Sequence, residues 1–259
     1  MEIGYDRKTV EEKKQIYHMY QEIFQDPEEF ADYYFQFLYP KNQVLKLIQD
    51  GQLASMLHLN PYTLVWNKKE FSASYIVAVA TLSCYRRQGM MAELLKRAMR
   101  DMFDRGELFT YLIPAKEAYY KPFDFSFVMD WEEGQIEFQG ENLTESRKNS
   151  SFFKSADASE YEIRQIMPSM YKDAADYLNQ LREQHFSLWV KADEDYVRQQ
   201  DAEMKSEGGG LYLIVKDGRY DGVFFCTMGS DSLSCTNLWI PQKMSEEELG
   251  KLLYQKFGK

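Results

Sequence analysis

The stretch Tyr75-Ile-Val-Ala-Val-Ala-Thr-Leu-Ser-Cys-Tyr-Arg-Arg-Gln-Gly-Met-Met-Ala-Glu-Leu-Leu95 decides the fold. Residues 76–80 are apolar without alternation, the pattern of a strand covered on both faces. A short basic turn follows around Gly89, and an amphipathic helix after that. The helical period puts Leu94, Leu95, Ala98, Met99, Met102 and Phe103 on one predicted face. Glu93 with Arg97, and Arg97 with Asp101, are spaced to pair along its flank, and Gly106 is placed to stop it. A strand feeding a helix through a glycine-containing turn presents backbone N–H groups at the helix start, a ready site for phosphate. Arg86 and Arg87 add positive charge where a pyrophosphate would lie. The combination points to an enzyme that holds a phosphorylated carrier.

Upstream of this stretch, residues 10–24 and 28–38 read as two helices rich in aromatics. Residues 44–48 and 53–59 read as strands joined at Asp50-Gly51. Residues 62–66 and 71–81 read as a second hairpin around Asn67-Lys68-Lys69. Downstream, 108–113 is predicted as another buried strand ending at Pro114. A short helix over 115–120 and a strand pair over 125–138, broken at Glu133-Gly134, follow. The polar, aperiodic run 140–151 reads as a linker. Beyond it, the pattern predicts a strand over 161–167, helices over 168–183 and 192–207, strands over 211–215, 222–227 and 233–240, and a last helix. That helix opens with a capping box, Ser245 and Glu248, and a hydrophobic staple, Met244 and Leu249.

The 259 residues are 44% hydrophobic, enough for a sizeable core, and carry a formal net charge of −10. That balance argues against a nucleic-acid-binding face, which needs clustered Lys and Arg. Cys84, Cys226 and Cys235 are too few for a disulfide framework, and no pair has metal-ligand spacing, so no metal is expected. A reducing compartment, with cytoplasmic location, is the simplest reading. Residues 1–7 are polar, so no signal peptide is expected, and no run of about 18 apolar residues suggests a membrane span. The aromatics Tyr17, Tyr20, Phe24, Phe30, Tyr33, Tyr34, Phe37 and Tyr39 read as core. The acids Asp26, Glu28, Glu29 and Asp32 read as a solvated face, with a cationic amine as the sharper alternative.

Residues 75–125 resemble the GCN5-related N-acetyltransferase (GNAT) family, and within it the Eis-type branch of tandem GNAT proteins. The family's Arg/Gln-x-x-Gly-x-Gly/Ala signature stands here as Arg86-Arg-Gln-Gly89-Met-Met91, with Met91 in place of the second small residue. Pro114-Ala-Lys-Glu-Ala-Tyr-Tyr120-Lys-Pro-Phe-Asp-Phe125 resembles the branch's Ile-Tyr-x-x-Phe-Gly-Phe/Tyr element, with Asp124 at the family's glycine. The resemblance covers residues 1–140; beyond them it rests on the order of elements.

The resemblance implies an α/β (α+β) GNAT fold: a mixed central sheet with splayed strands flanked by helices. An acetyl-CoA-binding domain is expected over 1–140. A second, degenerate GNAT-like half without the cofactor motif is expected over 141–259. It further implies an N-acetyltransferase that uses acetyl-CoA as cosubstrate, by direct attack of a primary amine on a small molecule or peptide. The pantetheine arm would run along Val79, Ala80 and Thr81. The pyrophosphate would rest on Arg87, Gln88, Gly89, Met90, Met91 and Ala92. Ala115 and Lys116 would sit beside the cofactor on the opposite splayed strand, and Tyr120 matches the branch's general acid. In that branch the base is a terminal carboxylate from a third domain, which a chain read to Phe257-Gly258-Lys259 is not expected to carry. Glu117, His58 or a water chain stay open as substitutes. A CoA-binding or sensing module that kept the turn and lost catalysis is the main alternative; an aminoacyl transferase is disfavoured by the acidic balance. Small proteins of the family often pair, so a homodimer is among the expected partners.

Overall fold

The computed structural model describes residues 1–128, 134–137, 160–229 and 232–257. In chain order the elements are β1 (Glu2–Tyr5), α1 (Val10–Phe24), α2 (Glu28–Tyr33), β2 (Gln43–Gln49), β3 (Gln52–Trp66), β4 (Lys69–Thr81) and α3 (Met90–Asp104), then β5 (Gly134–Glu137), β6 (Tyr161–Gln165), α4 (Tyr171–His185), β7 (Leu188–Val190), α5 (Glu194–Ser206), β8 (Gly210–Lys216), β9 (Arg219–Met228), β10 (Ser232–Trp239) and α6 (Glu246–Phe257). The chain forms two compact units. Met1–Met129 with Arg182–Lys191 make the first, and Asp130–Leu181 with Ala192–Lys259 make the second. The division is therefore not linear along the sequence. The predicted linker 140–151 lies outside the described residues.

In the first unit, an antiparallel sheet runs β1-β2-β3-β4, and β7 pairs with the distal end of β3. The two strands expected over 53–59 and 62–66 are one strand, β3, which passes straight through Pro61. Proline has no N–H to give a neighbour. Pro61 is tolerated because β2 ends opposite Leu59 and β7 begins opposite Leu64, so that edge of β3 is uncovered at Pro61. The β3–β4 turn has left-handed Asn67 and Lys68, the geometry that suits a two-residue hairpin.

Alternation along β3 gives the sheet two different faces. Leu57 and Leu59 join Leu45, Leu47 and Ile76 in a core closed by Met90, Leu94, Leu95, Ala98 and Met102 of α3. His58 and Asn60 point the other way, to Tyr34. Phe103, expected on the buried face of α3, is 78% exposed. Nine residues at 100° each place it half a turn from Leu94. Arg97 pairs with Asp101 as expected, but Glu93 reaches Lys96 instead. The helix expected over 28–38 is α2 followed by one π-helical turn, Tyr34–Leu38.

The second unit has the sheet order β5-β10-β9-β8-β6. Leu211, Leu213 and Val215 of β8 face a core with Tyr171, Ala174, Leu178 and Val197. Tyr212 and Ile214 face another, with Leu249, Leu252 and Leu253 of α6. Burial on both faces explains the unbroken apolar run of β8. Gly209 is required for close approach: a Cβ there would fall 1.8 Å from the Cys226 carbonyl oxygen. The predicted cap of α6 forms, with the Glu248 amide donating to Ser245 Oγ at 3.2 Å. Met244 and Leu249 of the staple are buried in one cluster.

Candidate active site

The edge of β4 is covered at one end and open at the other. Ile76 N–H donates to the Tyr111 carbonyl at 2.9 Å, and Tyr75 and Tyr111 form a single parallel bridge. No further ladder joins the two segments. The buried strand expected over 108–113 is thus a nearly extended segment with one bridge, and Leu108 and Ile113 are 65% and 57% exposed. Its apolar composition suggested a central strand, but the segment has a paired neighbour for only one residue. The short helix expected over 115–120 is two 3-10 turns, Glu117–Tyr119 and Lys121–Phe123. Residues 125–128 form no strand, while β5 pairs with β10 in the second unit.

Just past the bridge, β4 bulges. His58 pairs with Val77 and Met56 with Ala80, so Ala78 and Val79 together oppose Leu57. Ala78 is left-handed, with φ 49°, the conformation of the first residue of one common bulge type. A non-glycine residue there is strained, and such strain concentrates at functional sites. Below the bulge, Ser55 Oγ donates to the Ala80 carbonyl at 2.8 Å and lies 2.8 Å from Thr81 Oγ1, which pins the strand end.

From Thr81 the chain makes one 3-10 turn and enters α3 through Arg86, Arg87, Gln88 and Gly89. Arg86 folds back, its Nε donating to the Thr81 carbonyl at 3.1 Å. Gln88 Nε2 donates to the Cys84 carbonyl at 3.2 Å. Arg87 is exposed, with φ 61°. Gly89 is the N-cap of α3, with φ 80°, and no side chain caps the helix. A Cβ on Gly89 would meet nothing within 4 Å. Glycine is needed here for its left-handed backbone and not for want of room at its own Cβ position. Met90 points into the core, while Met91 and Ala92 are half-buried. The helix start therefore offers the backbone amides of Met90, Met91 and Ala92, the positive end of the helix dipole, and two arginines. The start of α6, by contrast, is occupied by Ser245.

Tyr120 is 9% exposed and packs in the same cluster as Met90 and Ile76, with Val79 and Met91 against it. Its ring meets Phe125 edge-on at 5.8 Å. Burial pushes its phenol above the ordinary tyrosine value. Tyr119 is half exposed. Ala115 and Lys116 are exposed on the segment that has parted from β4.

His58 is fully buried. Its Nδ1 lies 2.9 Å from Tyr34 Oη and 3.3 Å from Asn42 Nδ2, and its Nε2 is buried without a hydrogen-bond partner among the described residues. Burial, then the Lys8 charge, pull its pKa down to about 3, which leaves it unsuited to take a proton at neutral pH. Glu117 is exposed and pairs with Lys121 at 3.6 Å. Of the four acids in the α1–α2 region, Asp26 accepts from Tyr20 and Asp32 from Tyr17, while Glu28 and Glu29 are exposed. Among the described residues no helix is long and apolar enough to cross a membrane, and no group of three or more His, Cys, Asp or Glu could hold a metal.

The bulge at Ala78 was not legible in the sequence, because nothing in an apolar run marks where a strand will kink. The turn and helix start were.

A parted strand pair with a bulged edge thus runs into a glycine-led helix start that no side chain caps. Residues 5–128 match the family model described as an acetyltransferase (GNAT) domain, and this part of the chain is a GNAT domain. The fold of the whole chain is shared with solved GNAT structures. A conserved protein of unknown function from Enterococcus faecalis V583, described as a probable N-acyltransferase, aligns with a TM-score of 0.66 at 16% identity, over 89% of this chain and 56% of that one. A GCN5-related N-acetyltransferase from Kribbella flavida aligns at 0.64 and 13% identity, over 100% and 62%. Eis1 from Mycobacterium abscessus aligns at 0.61 and 15% identity, over 99% and 63%. The chain spans 56–63% of the length of these three proteins. At such identities the likeness is one of fold. No curated protein matches the sequence.

Proposed function

We propose that this protein is an acetyl-CoA-dependent N-acetyltransferase whose acceptor is a primary amine on a small molecule or peptide. The observation that carries this reading is the helix start at Gly89, left-handed and without a side-chain cap, one short turn after the open edge of β4. Acetyl-CoA supplies the activated thioester. The amides of Met90, Met91 and Ala92, with Arg87, Gln88 and Gly89, hold the diphosphate. Val79, Ala80 and Thr81 offer the β4 edge to the pantetheine arm, and Ala115 with Lys116 flank it from the parted segment. An edge amide at the bulge faces the thioester carbonyl and stabilises the oxyanion that forms on attack.

The neutral amine nitrogen attacks the carbonyl carbon and the carbon–sulfur bond breaks. The departing thiolate takes a proton from Tyr120, and the proton the amine gives up passes to solvent water, which returns one to the Tyr120 phenolate. Burial keeps the Tyr120 phenol protonated until then.

Titration calorimetry with coenzyme A tests the reading through Gly89. Gly89→Ala should fold with about 1–2 kcal/mol less stability, the cost of a side chain in a left-handed conformation. Gly89→Asp should bind coenzyme A at least about thirtyfold more weakly, because it sets a like charge against the diphosphate. Unchanged affinity in Gly89→Asp would refute the cofactor site.

A further inference from the structure

The point at which β4 and the chain after α3 part is set by a side chain. Ser74 lies two residues before Ile76, so its N–H and carbonyl face the same open edge of β4. Neither is met by a strand. The Ser74 amide donates to Glu107 Oε2 at 2.7 Å, and Ser74 Oγ donates to Glu107 Oε1 at 3.1 Å. The Ser74 carbonyl accepts from Thr110 Oγ1 at 2.7 Å. Arg105 holds the same carboxylate, Nη2 at 2.7 Å and Nε at 3.0 Å from Oε1. The Glu107 side chain is only 8% exposed. One position further, Ile76 takes the single backbone bond to Tyr111. By alternation the next edge amide falls in the bulge at Ala78–Val79. The edge of β4 is thus occupied in sequence by a carboxylate, then a backbone carbonyl, then nothing from this segment.

We propose that Glu107 is a positioning residue whose carboxylate, clamped by Arg105, stands in for a strand at Ser74 and so fixes the vertex of the cleft at Ile76 and Tyr111. A true strand partner at Ser74 would start a ladder able to continue past Ile76 and close the edge. A carboxylate satisfies the amide without propagating, which leaves Val79 to Thr81 available. This assignment rests on the cofactor reading above for its consequence, but not for its geometry.

The test uses the full chain and two readouts. Hydrogen exchange of the Ile76 amide in unliganded protein reports the vertex, and calorimetry with coenzyme A reports the cleft. E107A removes a charged acceptor from a largely buried amide. Ile76 exchange should then quicken, and coenzyme A affinity weaken, each by about tenfold. E107Q keeps an acceptor for the Ser74 amide and should stay within about threefold of wild type in both. Tyr17→Phe is the stability control: it deletes the 2.9 Å bond to Asp32 between α1 and α2, and should leave both readouts unchanged. Should E107A not fold, E107D carries the test, since it keeps the charge but falls one methylene short and should still quicken Ile76 exchange.

Unaltered Ile76 exchange in E107A overturns the proposal. So does an equal loss of affinity in Tyr17→Phe at matched loss of Tm, which would make the effect one of general stability. Wild-type protein that fails to bind coenzyme A would sink the cofactor reading alone, and the exchange data would still decide the vertex.

Discussion

Acidification through the ordinary histidine range should destabilise this protein through His58. The imidazole is fully buried, with Nδ1 against Tyr34 and Asn42 and Nε2 without a partner among the described residues. An imidazolium there would carry an Nε2–H that no described residue receives and an Nδ1–H turned against the Asn42 amide N–H donor. Lys8, whose Nζ donates to Asn42 Oδ1 at 2.9 Å, adds a like charge nearby. Burial first, and Lys8 second, lower the pKa from 6.5 to about 3. The sign follows from proton binding. Below about pH 6.5 the unfolded chain takes a proton at His58, and the folded chain does not until about pH 3. Within that window each pH unit removes about 1.4 kcal/mol, so folding loses about 2 kcal/mol by about pH 5 relative to neutral pH. Urea unfolding of wild type and His58→Asn at the two pH values isolates this contribution, because other titrating groups cancel in the difference. The wild type should lose about 2 kcal/mol more than the variant. An NMR titration should show the His58 ring resonance unmoved between about pH 8 and 5. A ring that titrates near the ordinary histidine value, or equal pH dependence in both proteins, would refute the reasoning.

Tyr120→Phe should lower kcat by about 10²–10⁴ while leaving coenzyme A affinity intact. With the phenol raised by burial, the wild-type rate should show no alkaline decline from this group below about pH 10 and should fall only as pH rises beyond it. Full turnover in the variant would refute the assignment of Tyr120 as the acid. Leu94→Ala, at a fully buried position of α3, should cost about 2–5 kcal/mol in denaturant unfolding; a loss below about 1 kcal/mol would show that α3 does not close the core as described.

Much of the helical content was legible because it is written locally. The helix read over 10–24 is α1, α3 ends at Asp104 just before its stop signal Gly106, and α6 starts at its capping box. Turns were legible for the same reason, since Asp50-Gly51 and Asn67-Lys68 are short-range choices of backbone conformation. The strands over 53–59 and 62–66 were misread as two because proline ordinarily breaks a ladder, and its tolerance at Pro61 depends on where the neighbours of β3 end. The segment 108–113 was misread as a buried strand because its composition cannot report that only Tyr111 finds a partner. Of the site, Arg86 to Ala92 could be named from sequence, as a helix start is a local object. Glu107 could not, since its role comes from a bond to Ser74, thirty-three positions away.

What the sequence determined by itself was the strand, the glycine-led turn and the helix whose start is the candidate anion cradle. Only the tertiary structure decided where the cleft opens, how β4 bulges, and which histidine is sealed from solvent. Capping, periodicity and turn preference act over a few residues. Edge pairing and burial depend on what the rest of the chain brings alongside.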